Sequence, residues 1–298
     1  MVRSQGLTKI YRGGHVGVLE LDLEVPAGLV FGLLGPNGAG KTTTLRLLLD
    51  LIRPTRGHLE VLGTEVRRGG ATLRRELGYL PGDLTLYPDL TGDETIRYVM
   101  RLRGTDDRRY ADQLAKRLDL DLSRHVHDLS KGNRQKLGLV TALMHQPRLA
   151  VLDEPTSGLD PVVQQEFADL LREVVAGGAT VLLSSHVMSE VEHLADRVSI
   201  LRAGQVAVVQ DVAELRARAR RHLDLTFAAA VPAELFTGLP DVRHVQVTGP
   251  RVSVEVTGPV GPLMALAAAH GLLDVTTHEP DLERVFLDYM EGVESGAA

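Results

Sequence analysis

GPNGAGKT occupies residues 35–42. It meets the pattern G-x-x-x-x-G-K-[ST], with Gly35, Gly40, Lys41 and Thr42 at the fixed positions. An unbroken apolar run, LVFGLL, precedes it, and Leu45, Leu48 and Leu49 follow at helical spacing before Pro54. The loop therefore joins a buried strand to a helix. In that setting the glycines let successive backbone N–H groups turn toward phosphates, and the positive end of the helix dipole adds to them. Gly35, Pro36, Asn37, Gly38, Ala39 and Gly40 make the cradle, and Lys41 reaches the β- and γ-phosphates. Thr42, followed by Thr43, offers a hydroxyl to Mg²⁺. ATP or GTP is the ligand class implied; a merely structural glycine turn is the alternative.

Working outward, residues 16–25 alternate apolar and polar as an antiparallel strand does, and further strands are expected over 77–79, 149–152, 180–184 and 197–201. Helical patterns bound the last three, which predicts an α/β fold with a parallel sheet. LAVLDEP, residues 149–155, ends its strand on two carboxylates, placing Asp153 and Glu154 at the sheet's carboxyl edge. Asp153 is the natural Mg²⁺ partner, directly or through water, and Glu154 is left to orient or deprotonate an attacking water. Residues 91–120 are rich in Arg and Asp with helical periodicity, so a helical subdomain is expected inside the core, bounded at about 83–145.

Beyond Ala203-Gly204 the pattern changes. A basic amphipathic linker helix is expected over 211–221, mainly 212–221. Strand, helix, strand, strand, helix and strand then follow over 222–227, 233–239, 242–247, 251–256, 262–270 and 273–278, the order of a ferredoxin-like α+β unit. A last helix is expected over 281–290. The domains are thus 1–210, the linker and an accessory domain over 222–298.

With 298 residues, 44% hydrophobic and 24% charged, the chain has the composition of folded domains. A net charge of -6 argues against nucleic acid as partner. The absence of cysteine excludes disulfides and thiolate metal sites. No window of about 18 apolar residues exists, and the opening MVRSQGLTKIYRGG lacks a signal-peptide apolar region, so the chain is expected to stay in the cytoplasm.

Three further motifs lie in order along the chain. They are LSKGNRQKL over 129–137, SGLD over 157–160, and His186 after the strand TVLLSS. With the phosphate loop and LAVLDEP, they resemble the nucleotide-binding subunit of an ATP-binding cassette (ABC) transporter across about two-thirds of the chain. The fold that this implies is a P-loop NTPase core with an antiparallel β-subdomain and an inserted helical subdomain. The resemblance implies that Ser130, Gly132 and Asn133 meet the γ-phosphate of ATP held by the opposite subunit. It also implies that Asp160 organises the interface, His186 contacts the γ-phosphate and Tyr11 stacks on adenine. Ser130 before a predicted helix suits an anion-binding end on its own terms.

Departures from the family stand out at Gly82, at Lys131 and at Asn133, which replaces the signature's glutamine with a shorter amide. Gly82 replaces a glutamine that the family brings near Mg²⁺, and Asp83 or a water is expected in its stead. Lys131 replaces a glycine in the signature and is expected to point into solvent, with contact to the opposed ATP as the alternative.

What the resemblance implies is an ATPase with ATP and Mg²⁺, working as a dimer with a second copy or a homologous cassette. Its further partner is an integral membrane permease that handles the transported small molecule. Its place is the cytoplasmic face of the bacterial membrane, as a peripheral subunit. The tail EPDLERVFLDYM resembles separately encoded ATPases of bacterial exporters, often of drugs or antibiotics. A soluble ATPase acting on ribosomes or DNA is the other class, but such relatives usually carry two cassettes or a long coiled coil.

Overall fold

A computed structural model describes residues 1–218, 221–239 and 241–277. The chain divides into two compact units, Met1–Gln210 and Asp211–Ala298. The first unit runs β1 (Val2–Ile10), β2 (Val16–Val25), β3 (Val30–Leu34), α1 (Lys41–Leu48), β4 (Arg56–Val61), β5 (Thr64–Glu65), α2 (Val66–Arg75) and β6 (Leu77–Leu80). It continues with α3 (Gly92–Arg103), α4 (Arg109–Arg117), α5 (Lys131–Leu143), β7 (Leu149–Asp153), α6 (Pro161–Ala176), β8 (Thr180–Ser185), α7 (Met188–Leu194), β9 (Arg197–Arg202) and β10 (Gln205–Asp211).

Strands β3, β7 and β8 are buried along their whole length. Unbroken apolar runs are what a parallel sheet covered on both faces requires. The sheet order is β10-β9-β3-β8-β7-β6, with β9, β3, β8, β7 and β6 paired in parallel. Its register sets Leu34 beside Ser185 and Asp153 beside Ser184. The loop after β3, the carboxylates after β7 and His186 after β8 therefore leave the sheet at one edge, where ligands of such folds bind. This is the mixed α/β P-loop core that the motif predicts.

A second, antiparallel sheet has the order β2-β1-β4-β5. Leu7, Leu21, Leu23 and Val25 from it share one core with Phe31, Leu45 and Leu48. Of its strands only β2 is expected from the sequence; β1, β4 and β5 are not. β1 carries Ser4, Gln5, Gly6 and Thr8, and its order comes from partners: the buried Ser4 hydroxyl donates to Leu21 O and accepts from Leu23 N. In β4, Gly57 has φ 93, and a Cβ there would stand 2.4 Å from Gly6 O. Close backbone approach marks the start of that strand, and only Leu59 and Val61 alternate inward.

Three helices, α3, α4 and α5, lie in sequence between the neighbouring strands β6 and β7. The single pattern expected over 91–120 breaks into two helices because Gly104, at φ 71, ends α3 in the left-handed region. A capping box starts α3: Thr91 Oγ1 accepts from Glu94 N, and Thr91 N donates to Glu94 Oε2.

The second unit contains α8 (Val212–Arg218), β11 (Arg221–Phe227), α9 (Glu234–Thr237), β12 (Val242–Thr248), β13 (Arg251–Val256), α10 (Gly261–Ala269) and β14 (Leu272–Thr277). Its antiparallel sheet has the order β12-β13-β11-β14. Leu223, Leu225 and Phe227 alternate inward onto Phe236, Val254 and Leu263. The expected linker helix is corrected at its end, since Arg221 pairs with Val256 as the first residue of β11. The alternation of apolar residues that starts at Leu223 fixes this register and recruits the preceding residues into the strand. The helix expected over 281–290 lies outside the described residues, as does His278.

Candidate nucleotide site

The loop after β3 forms tight backbone turns. Gly38 and Gly40 have φ 83 and 104, and a Cβ on Gly40 would lie 2.5 Å from Gly17 O. Only glycine fits that approach between the loop and β2. Lys41 then opens α1 with its side chain folded back under the loop, donating from Nζ to Gly35 O at 2.6 Å and Pro36 O at 3.3 Å. Its side chain is 6% exposed. Burial lowers its pKa, and the charges of Glu154 and Asp153 oppose that shift.

Across the edge, Asp153 is buried at the end of β7. Its Oδ1 accepts from Thr42 Oγ1 at 3.3 Å and from Ser184 Oγ. Gly82 lies against the same carboxylate: a Cβ there would stand 3.5 Å from Asp153 Cγ and Oδ2. The residue that departs from the family pattern is therefore beside Asp153.

Glu154 turns out of the strand at φ 50. For a residue with a side chain this left-handed backbone costs about 1 kcal/mol. The strain aims its carboxylate across the cleft, where Oε1 lies 2.9 Å from His186 Nδ1 and 3.9 Å from Lys41 Nζ. Gln135 and Ser184, neither singled out by the sequence reading, hold the main chain here. Glu154 N donates to Ser184 O at 3.2 Å and Ser184 Oγ at 3.1 Å. Gln135 Nε2 donates to Glu154 O at 3.3 Å and Pro155 O at 3.1 Å.

Tyr11 comes to the loop from the other side. Its hydroxyl is 3.2 Å from Thr43 Oγ1, and its ring stacks on His15 with centroids 6.0 Å apart. His15 lines the cleft above the loop together with Asn37, Gly38, Thr42 and Glu154. The sequence offers no signal for His15 beyond its nearness to Tyr11.

Ser130, Gly132 and Asn133 form a separate group. Ser130 is the N-cap of α5 and accepts from Asn133 N at 3.2 Å. Gly132 packs on the 157–160 segment, where a Cβ would lie 2.9 Å from Gly158 O. Lys131 is exposed, as expected. Its stem runs along Gly158, and its Nζ donates to Ser157 Oγ at 3.0 Å. A glycine at φ 82 leaves the room that the methylenes fill. Asp160 caps α6, accepting from Val162 N and Val163 N. Lys41, Thr42, Asp153, Glu154 and His186 make the first cluster, and Ser130, Lys131, Gly132 and Asn133 with Ser157 and Gly158 make the second.

The first cluster fits a nucleoside triphosphate with Mg²⁺. Open backbone donors and a lysine suit phosphates, while a hydroxyl and a carboxylate are the hard oxygen ligands that Mg²⁺ shares with phosphate oxygens. A carboxylate held by an imidazole suits orientation of a water.

A family model described as ABC transporter matches residues 18–157. The bacitracin transport ATP-binding protein BcrA of Bacillus licheniformis is 32% identical over 301 residues, which cover 98% of this chain and 98% of that one. The daunorubicin resistance ATP-binding protein DrrA3 of Streptomyces coeruleorubidus is 37% identical over 281 residues, 90% of this chain and 89% of its own. A solved structure described as an ATP-binding subunit of an ABC transporter is 30% identical, with a TM-score of 0.67, and covers 72% of this chain and 92% of that chain. With the phosphate loop, the Asp153-Glu154 edge and His186 gathered on one parallel sheet, the chain belongs to the ABC transporter family as an ATP-binding, ATP-hydrolysing subunit.

Proposed function

We propose that this subunit powers export of a hydrophobic small molecule, of the antibiotic or drug class, through a separate integral membrane protein. The observation that carries the reading is similarity to the bacitracin and daunorubicin proteins along almost the whole chain, second unit included. No helix among the described residues is long and apolar enough to cross a membrane. The subunit's place is the cytoplasmic face of that membrane protein, as a peripheral protein.

In the catalytic cycle the loop over Asn37 to Gly40 turns backbone N–H groups toward the phosphates, and Lys41 leaves Gly35 O and Pro36 O to meet the β- and γ-phosphates. Thr42 and Asp153 would hold Mg²⁺, which would supply neutralisation of phosphate charge. Glu154 orients the attacking water and takes its proton, with His186 fixing the carboxylate and facing the γ-phosphate. Tyr11 stacks on the adenine. Ser130, Gly132 and Asn133 receive the γ-phosphate of a second copy, or of a homologous cassette, so that ATP closes a dimer and hydrolysis reopens it. Asp83 or a water serves in place of a side chain at Gly82.

The second unit is a ferredoxin-like accessory domain. Its βαββαβ order and its sheet order support this, and protein contact is its role.

Affinity purification from detergent-solubilised membranes tests the proposal. A polytopic membrane protein in stoichiometric amount supports it. Association with ribosomes that nuclease removes would sink it.

A further inference from the structure

Glu154 is a left-handed residue whose two flanking peptide groups are both held by buried side chains from other elements. On one side Ser184, 0% exposed on β8, presents Oγ and its own carbonyl to Glu154 N. The same hydroxyl donates to Asp153 Oδ1, so one oxygen ties the carboxylate of one residue to the peptide of the next. On the other side Gln135, 5% exposed on α5, spans Glu154 O and Pro155 O with a single amide nitrogen. Register explains why Ser184 is there, since it pairs directly with Asp153. Gln135 arrives from the helix whose first turn carries Ser130 and Gly132.

We propose that Gln135 and Ser184 are positioning residues for ATP hydrolysis: together they clamp the main chain on either side of Glu154 and so aim its carboxylate at the water. The inference rests on the assignment of Glu154 as the group that activates that water. Two features carry it. A left-handed backbone at a residue with a side chain persists only where its surroundings over-determine it, and these are the side-chain hydrogen bonds that do so at Glu154. A buried amide and a buried hydroxyl also keep their partners because leaving them unmade is costly, which makes the clamp rigid. The clamp has a second consequence. In the proposed dimer α5 would present its first turn to the nucleotide of the opposed subunit, while Gln135, on the same helix, holds the main chain of Glu154. A shift of α5 when the dimer closes would thus be felt at Glu154.

The test compares Gln135→Met and Ser184→Ala, each alone and combined with Glu154→Gln, in the full chain. Mg²⁺-dependent binding of ATP is measured first. Both single variants are expected to bind ATP within about threefold of the parent, while kcat falls on the order of 10- to 100-fold, as misplacement of a catalytic group does. Ser184→Thr, which keeps the hydroxyl, is expected to restore most of kcat. In the Glu154→Gln background, read by single-turnover hydrolysis, neither substitution should lower the residual rate further. Unchanged kcat in both single variants overturns the clamp, as does an equal further loss in the Glu154→Gln background. Should Gln135→Met fail to bind ATP, the Ser184→Ala and Ser184→Thr pair decides by the same criteria. Normal turnover in Glu154→Gln alone would instead remove the assignment on which the clamp rests.

Discussion

His186 Nδ1 stands 2.9 Å from Glu154 Oε1, although the two residues are 32 positions apart and leave different strands. The pair exists because β7 and β8 are parallel neighbours, with Asp153 in register with Ser184. At half exposure the imidazole adds little to stability, so its value lies in holding the carboxylate. His186→Ala is expected to lower kcat on the order of 100-fold with KM for ATP changed less than threefold, as loss of a positioned acid–base partner does. Steady-state hydrolysis at saturating Mg²⁺ checks this, and a change confined to KM would contradict the pairing.

Gly82 lies against the Asp153 carboxylate without a side chain to offer. If Asp83 serves instead, Asp83→Ala raises the Mg²⁺ concentration needed for half-maximal ATPase activity by roughly tenfold, in line with loss of a group near a metal. An unchanged Mg²⁺ curve leaves water in that role and excludes Asp83.

The loop itself was legible in the sequence because its chemistry is local: eight consecutive residues carry the glycines, the lysine and the hydroxyl. Asp153 and Glu154 were legible as the end of an apolar strand, and the alternation of β2, β11 and β13 announced those strands. Gln135 and Ser184 were not, because their partners are set by strand register and helix docking that no short pattern encodes. β1 escaped for a related reason: its polar residues are ordered by pairing on both sides. The seat of the exposed Lys131 against Ser157 was not legible, because the groove beside Gly158 exists only once that glycine adopts its left-handed turn.

Thr91 caps α3 through its own hydroxyl and returns a backbone donor to Glu94. Thr91→Ala removes half of the capping box and is expected to destabilise the protein by about 1 kcal/mol. Denaturant unfolding measures it, and Thr91→Ser should recover most of the loss. Equal midpoints for Thr91→Ala and the parent would contradict the role of the cap.

His145 donates from Nε2 to Leu77 O, and its pKa is pushed down to about 4 by burial, with the Arg103 charge acting in the same direction. The folded state thus binds a proton less readily than the unfolded chain, whose histidine titrates near its ordinary 6.5. This part of the stability is whole above pH 6.5 and drains away as pH falls toward 4. Tm measured across that window should decline, and His145→Gln should flatten the decline. Parallel curves for the two proteins would contradict it.

If Glu154 drives hydrolysis in a dimer closed by ATP, size-exclusion chromatography with light scattering of Glu154→Gln shows a monomer without nucleotide and, with Mg²⁺-ATP, a dimer retaining two ATP molecules. Its hydrolysis is at least 100-fold slower than in the parent. A monomer that holds ATP, or turnover at the parent's rate, would contradict that role.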